Sequence, residues 1–232
     1  MKTALDHPHR SFRGWQLVSY AVVVVAAVTA FLAVLASIGE HDYLASWDQP
    51  ILLFAVAHRT AALTVFFTAV TNIGSGVGLF AIAAAVCAFV CWRRRSAWPA
   101  ILVLVTVLGS VAFNNSVKNL VHRDRPSAGY WLAQPGGYAY PSGHAMNSAA
   151  TYGILAYVTF QLVSALWAKI AIVVTSTVLA LAIGASRIYL GVHWFTDVIG
   201  GFLAGLGWMT LVILALRVWI LTRNRVPSPD AA

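Results

Sequence analysis

Six stretches without a single charged side chain, 14–39, 60–92, 96–117, 145–168, 170–186 and 198–216, divide this 232-residue chain almost from end to end. A helix needs about 20 mainly apolar residues to cross the hydrocarbon core of a bilayer, so the runs predict an all-α polytopic membrane protein with six transmembrane helices. Charged residues make up only 9% of the chain, against about a quarter in a soluble domain, and no stretch is left over for a separate soluble unit. The chain therefore reads as one six-span domain over 14–223, between polar, disordered cytoplasmic tails at 1–13 and 224–232.

Two runs need comment. The stretch 60–92 is too long for one span and is interrupted by Asn72-Ile73-Gly74-Ser75-Gly76-Val77-Gly78, which predicts a short interfacial or partly embedded helix from Thr60 and then a span over 77–92. The run 15–38 follows Lys2, Arg10 and Arg13, as a signal peptide would, but its apolar core exceeds the roughly 7–15 residues of such a peptide and reads as an uncleaved first span. Cys87 and Cys91 lie one turn apart in an apolar run, where a reduced, inert pair is expected and no third metal ligand is near.

The net charge of +8 does not point to nucleic acid, because the cations flank apolar runs instead of gathering on one face among aromatics. With six spans, Lys2, Arg10, Arg13, Arg93, Arg94, Arg95, Lys169, Arg217, Arg223 and Arg225 fall on one side, and Arg59, Lys118, Arg123, Arg125 and Arg187 on the other. The richer side is expected to be cytoplasmic, with both termini inside a bacterial plasma membrane. Lys118, Arg125 and Arg187 stand on the disfavoured, extracytoplasmic side, where chemistry explains them better than topology does.

These three cations belong to a larger pattern. Lys118 is followed, after six intervening residues, by Arg125-Pro126, then come Pro141-Ser142-Gly143-His144, then Ser186-Arg187 with His193 and Asp197. A guanidinium presents a planar fork to two phosphate oxygens and an ammonium a point charge. Ser142 and Gly143 precede an apolar run, where the unpaired amides and positive dipole of a helix start attract an anion. If the last helix starts near Val192, His193 and Asp197 stand at i and i+4, so the carboxylate can accept a proton from one ring nitrogen and leave the other nucleophilic. Taken singly, each piece has an ordinary reading: a snorkelling lysine, a solvated loop arginine, a helix-capping serine, an interfacial histidine. Two residues inside the first interval, His122 and Arg123, either touch substrate or fill the loop. Tyr130, Trp131, Tyr138 and Tyr140 suit an interfacial belt.

The joint spacing Lys-x6-Arg-Pro, Pro-Ser-Gly-His and Ser-Arg-x5-His-x3-Asp resembles the type 2 phosphatidic acid phosphatase (PAP2) superfamily, membrane lipid phosphatases that share an active site with vanadium haloperoxidases. The resemblance covers 118–197 and implies a PAP2-like helical bundle. It implies His193 as the nucleophile that forms a phosphohistidine, Asp197 as its orienting partner and His144 as the acid that protonates the leaving oxygen. Lys118, Arg125, Ser142, Gly143 and Arg187 become the phosphate cradle, and neither a metal nor another cofactor is implied. The expected substrate is a lipid phosphate or diphosphate whose tail stays in the bilayer: a polyprenyl diphosphate, phosphatidylglycerophosphate or phosphatidic acid. A phosphotransferase using the same intermediate, a non-catalytic lipid-phosphate transporter and a vanadate-bound haloperoxidase are the rivals. Binding alone needs no nucleophile with an orienting carboxylate, and haloperoxidases are soluble.

Overall fold

The structure, a computed structural model, describes residues 7–40 and 43–223, excepting the side chains of 7–13. Among these described residues eight α-helices follow in order: α1 (His7–Glu40), α2 (Asp48–Ala57), α3 (Ala61–Ile73), α4 (Gly76–Arg94), α5 (Trp98–Val121), α6 (Gly143–Phe160), α7 (Leu166–Tyr189) and α8 (Phe195–Arg223). Five of them, α1, α4, α5, α7 and α8, are long and apolar enough to cross a membrane. The helix α1 already includes 7–13, part of the expected tail, whereas 1–6 and 224–232 lie outside the described residues.

The long stretch 60–92 breaks where its glycines and serine predict. Thr60 caps α3 by accepting from the Leu63 amide at 3.2 Å, and Ser75 caps α4 by accepting from Gly78 at 3.1 Å. Two features differ from the sequence reading. The short helix α2 is too brief to register as an apolar run. The turn between the fourth and fifth apolar helices falls after Phe160 and not at Lys169, which sits in the first turn of α7. One lysine does not end a helix, because its stem lets the ammonium turn aside; here Nζ lies 4.8 Å from the centre of the Phe160 ring.

Large apolar side chains cover the outside of the bundle as well as its core, unlike in a soluble protein, and part of the interior is polar. Val22, Val25, Leu104, Leu108, Phe80 and Val178 face outward, while Thr106, Ser110, Asn114, Ser148, Thr151 and Ser186 are buried. The helix α6 is the shielded centre, packed by α5, α7 and α8, and α8 also packs against α1. Its polar first half, including His144, Asn147, Ser148 and Thr151, is tolerable because neighbouring helices surround it.

Glycines set how closely α6 and α8 approach. A Cβ on Gly201 would stand 2.7 Å from the Ser142 carbonyl oxygen, and one on Gly205 2.4 Å from that of Met146. The spacing Gly201-x3-Gly205 thus forms the small-residue seam by which two membrane helices bring their backbones together. This seam presses the start of α6 against the start of α8. Gly205→Val is expected to force the helices apart, lowering the detergent Tm and the yield of monodisperse protein, whereas Gly14→Val, with open space around it, leaves both unchanged. Equal thermal stability of the two variants would contradict the seam.

Candidate active site

The end of the bundle where α5 and α7 finish and α6 and α8 start carries all of the motif residues. The turn from α7 to α8 depends on Gly191, whose φ of +75° disfavours side chains and whose missing Cβ would stand 2.1 Å from the Tyr130 carbonyl oxygen. Arg59 pins this turn by donating to the Tyr189 carbonyl at 2.8 Å and the Tyr130 carbonyl at 2.7 Å. The Leu132 amide adds a bond to Leu190 O at 2.9 Å. A cation left unexplained by topology is thus a clamp between loops.

His193 precedes α8 instead of riding on it, which corrects the expectation of a helix starting near Val192. The pairing with Asp197 survives because Asp197 folds back over the helix start: Oδ2 lies 3.2 Å from His193 Nδ1 and accepts the Trp194 amide at 2.9 Å. An ionised carboxylate only accepts, so Nδ1 carries the proton and Nε2 presents its lone pair. Arg125 Nη1 lies 3.1 Å from that Nε2. Burial pushes the His193 pKa from its ordinary 6.5 down to about 4, outweighing the pull of Asp197 in the other direction. The ring is therefore neutral at physiological pH, the state that nucleophilic attack would require.

This depression has a sign that stability can report. Between about pH 6.5 and pH 4 the unfolded chain takes up a proton that buried His193 refuses, so stability falls with pH across that window. The wild-type Tm in detergent is expected to drop more steeply over that range than the Tm of His193→Asn. Parallel slopes would contradict a neutral buried His193.

The cations gather around this pair. Arg125 is held by carbonyls of Gly136 at 2.8 Å, Gly137 at 2.8 Å and Val192 at 2.7 Å, so its fork is fixed in place. Lys118, in the last turn of α5, donates to the Tyr138 carbonyl. Arg187 donates to Thr71 Oγ1 at 2.7 Å, and its buried Nε bonds to no protein group. The buried Oγ of Ser142 is likewise unpartnered, although Ser142 stands at the N-cap of α6, and its amide is tied to the Asp197 carbonyl at 2.9 Å. Both donors remain for an anion's oxygens. Gly143 packs so closely on Asn114 that a Cβ would stand 3.1 Å from its Oδ1. His144 lies in the first turn of α6, within the fields of Arg187, His193, Arg125 and Lys118. Every predicted site residue thus converges on one end of the bundle.

Two further residues complete the arrangement. Arg123 Nη1 donates to Asp197 Oδ1 at 2.5 Å, and its Nη2 to Asp48 Oδ2 at 2.6 Å. Asp48 in turn accepts from the Thr196 amide at 2.8 Å and from Thr196 Oγ1 at 2.7 Å, fixing the start of α8. Arg123 was one of two candidates with open roles, and Asp48 carried no motif signal. A lone carboxylate at a helix start beside an apolar run was the only hint. Tyr140 is fully buried, with its ring 5.5 Å from that of Phe31, and is no part of an interfacial belt. His122 stays at the surface, edge-on to Tyr138.

Comparison with known proteins decides the family. The PAP2 superfamily profile matches residues 98–220, more than half of the chain. The chain belongs to the PAP2 superfamily. It is 31% identical to phosphatidylglycerophosphatase B of Bacillus subtilis over 177 residues, 76% of this chain and 86% of that protein. A shorter match, 37% identical over 84 residues, covers 36% of this chain and 36% of an undecaprenyl-diphosphatase of Sulfolobus acidocaldarius. The crystal structure of the transmembrane PAP2 type phosphatidylglycerolphosphate phosphatase from Bacillus subtilis superposes with a TM-score of 0.77 at 30% identity, covering 88% of this chain and 98% of that one. Aquifex aeolicus LpxE shares the fold, with a TM-score of 0.58 at 24% identity over 72% of this chain and 94% of that one. This PAP2 chain is thus an integral membrane lipid phosphate hydrolase.

Proposed function

We propose that this PAP2 protein hydrolyses a phosphate or diphosphate head group of a membrane lipid through a phosphohistidine on His193. The observation that carries the reading is the buried His193–Asp197 pair, with Nδ1 committed to the carboxylate and Nε2 directed at Arg125. A dianionic phosphoryl group takes Arg125, Lys118 and Arg187 as counter-charges, with the amides at the start of α6 completing the cradle. The Nε2 lone pair then forms a bond to phosphorus as the P–O bond to the lipid breaks, and His144 gives the departing oxygen its proton. In the second step water attacks phosphorus, the P–N bond breaks, and His144 takes the water proton. Phosphate-monoester hydrolysis is among the slowest uncatalysed reactions, so charge stabilisation and leaving-group protonation are both required.

Among candidate substrates, phosphatidylglycerophosphate comes first because of the similarity to phosphatidylglycerophosphatase B; polyprenyl diphosphate and phosphatidic acid follow. Purified protein is expected to release phosphate from at least one of these lipids in the presence of chelator, to be inhibited by vanadate, and to be silent as His193→Ala. Labelled phosphate recovered on a second lipid instead of in water would make it a phosphotransferase. Turnover that disappears with chelator and returns with a divalent metal would overturn the cationic cradle.

The six-span unit over 14–223, with α6 as the shielded span, is read with both termini cytoplasmic and the site at the outer face. All five cations on the outer side then have tasks: Arg59 and Arg123 as clamps, and Lys118, Arg125 and Arg187 in the cradle. In a background without Cys87 and Cys91, Ser127→Cys is expected to react with an impermeant thiol reagent from outside, and Ala97→Cys only after permeabilisation. The opposite pattern would invert the topology.

A further inference from the structure

At the end of the bundle opposite His193, a cavity of about 360 Å³ opens between the last turns of α4, α6 and α8 and the first turn of α5. Arg94, Ser96, Gln161 and Arg217 supply its polar wall, and Trp98 and Trp219 stand at its rim. Arg94 Nη2 donates to the Gln161 carbonyl at 3.1 Å, which aims the guanidinium but leaves most of its donors uncommitted. Arg217 lies 5.7 Å from the Tyr157 ring, and its buried Nε bonds to no protein acceptor. Arg93 and Arg95 stand exposed beside it. Among the described residues the carboxylates Glu40, Asp48, Asp124 and Asp197 all belong to the catalytic end, so none of them balances these guanidinium groups.

The rim says at what depth the cavity lies. Trp98 and Trp219 are both exposed, with rings 5.1 Å apart, and indoles of this kind settle at the level of lipid head groups. An arginine fork matches a phosphate by two parallel hydrogen bonds, and such charge-assisted bonds strengthen away from bulk water. The remaining wall, including Leu102, Val158 and Leu216, is apolar and suits an acyl chain better than a soluble ion. We propose that this cavity binds the head-group phosphate of an anionic phospholipid from the leaflet opposite the catalytic one. The lipid bridges Arg94 on α4 to Arg217 on α8, two helices that otherwise meet through α5 and α6. It is a bound lipid distinct from the substrate, and the inference rests on the membrane placement, not on the catalytic reading.

The test uses full-length protein stripped of lipid in an uncharged detergent, with dioleoylphosphatidylserine, dioleoylphosphatidylcholine and inorganic phosphate as separate probes. Phosphatidylserine is expected to raise the Tm and to appear as a retained adduct in native mass spectrometry, whereas the other two do neither. Arg94→Gln/Arg217→Gln is expected to weaken phosphatidylserine binding about tenfold, and Arg94→Gln alone about threefold, which keeps a result available if the double variant does not fold. His193→Ala binds it as the wild type does, which separates this cavity from the catalytic site. Equal stabilisation by inorganic phosphate or by phosphatidylcholine overturns the anionic-lipid assignment, as does phosphatidylserine binding indifferent to both arginine variants.

Discussion

His193→Ala is expected to release no phosphate from any substrate, whereas His144→Ala is expected to be disabled only in proportion to how badly the leaving group needs a proton. The two histidines sit at the same site but, in the proposed mechanism, act on different bonds. Without Nε2 no bond to phosphorus forms, so the chemistry of the leaving group is irrelevant. In the first step of that mechanism His144 would serve only the departing oxygen. A lipid alkoxide cannot leave without a proton, while an aryl phenolate, or a lipid monophosphate expelled from a diphosphate, leaves nearly unaided. General acid assistance contributes about 10²–10⁴-fold, so His144→Ala is expected to lose that factor on an alkyl phosphate and regain part of it on an aryl phosphate. The comparison requires the first step isolated by single turnover, with both variants monodisperse and of unaltered Tm. Equal losses on alkyl and aryl substrates would falsify the acid role of His144.

Arg123→Gln is expected to lower kcat about 10²-fold while KM moves by no more than about threefold, although Arg123 does not belong to the phosphate cradle. Its guanidinium joins the carboxylate that orients His193 to the carboxylate that fixes the start of α8. Removing it leaves Asp48 and Asp197 buried with one counter-charge fewer, which costs about 3–5 kcal/mol of stability as well. Turnover is therefore normalised to folded protein. Asp48→Asn acts through the same arginine and is expected to cost about tenfold in kcat, and the double variant little more than Arg123→Gln alone, because residues in one network are not additive. Fully additive losses, or a rise in KM with kcat intact, would remove Arg123 from the positioning of His193.

Motif spacing brought the residues of the proposed cradle and nucleophile to one end of the bundle because each of Lys118–Arg125, Pro141–His144 and Ser186–Asp197 is local, joined by one helix end or one turn. The mistaken helix start near Val192 did not spoil the pairing of His193 with Asp197, since four residues of separation bring the two together in either geometry. Asp48 had no such protection. It meets Thr196 across 148 residues, and nothing in the neighbourhood of Asp48 records that partner. Arg123 was visible but ambiguous for the same reason, because its two carboxylates lie on α2 and α8.

The sequence by itself determined that this chain lives in a membrane, where the long stretch 60–92 divides and which residues gather at one end of the bundle. These properties depend on the charge and periodicity of contiguous residues, and a bilayer enforces them segment by segment. Only the tertiary structure decided that α6 is the shielded centre, that Gly201 and Gly205 draw α8 against it, and that Arg123 ties Asp48 to Asp197. Those are contacts between helices far apart in the chain. They arise where backbones approach closely enough to exclude side chains, and where buried charges must find partners wherever packing has brought them.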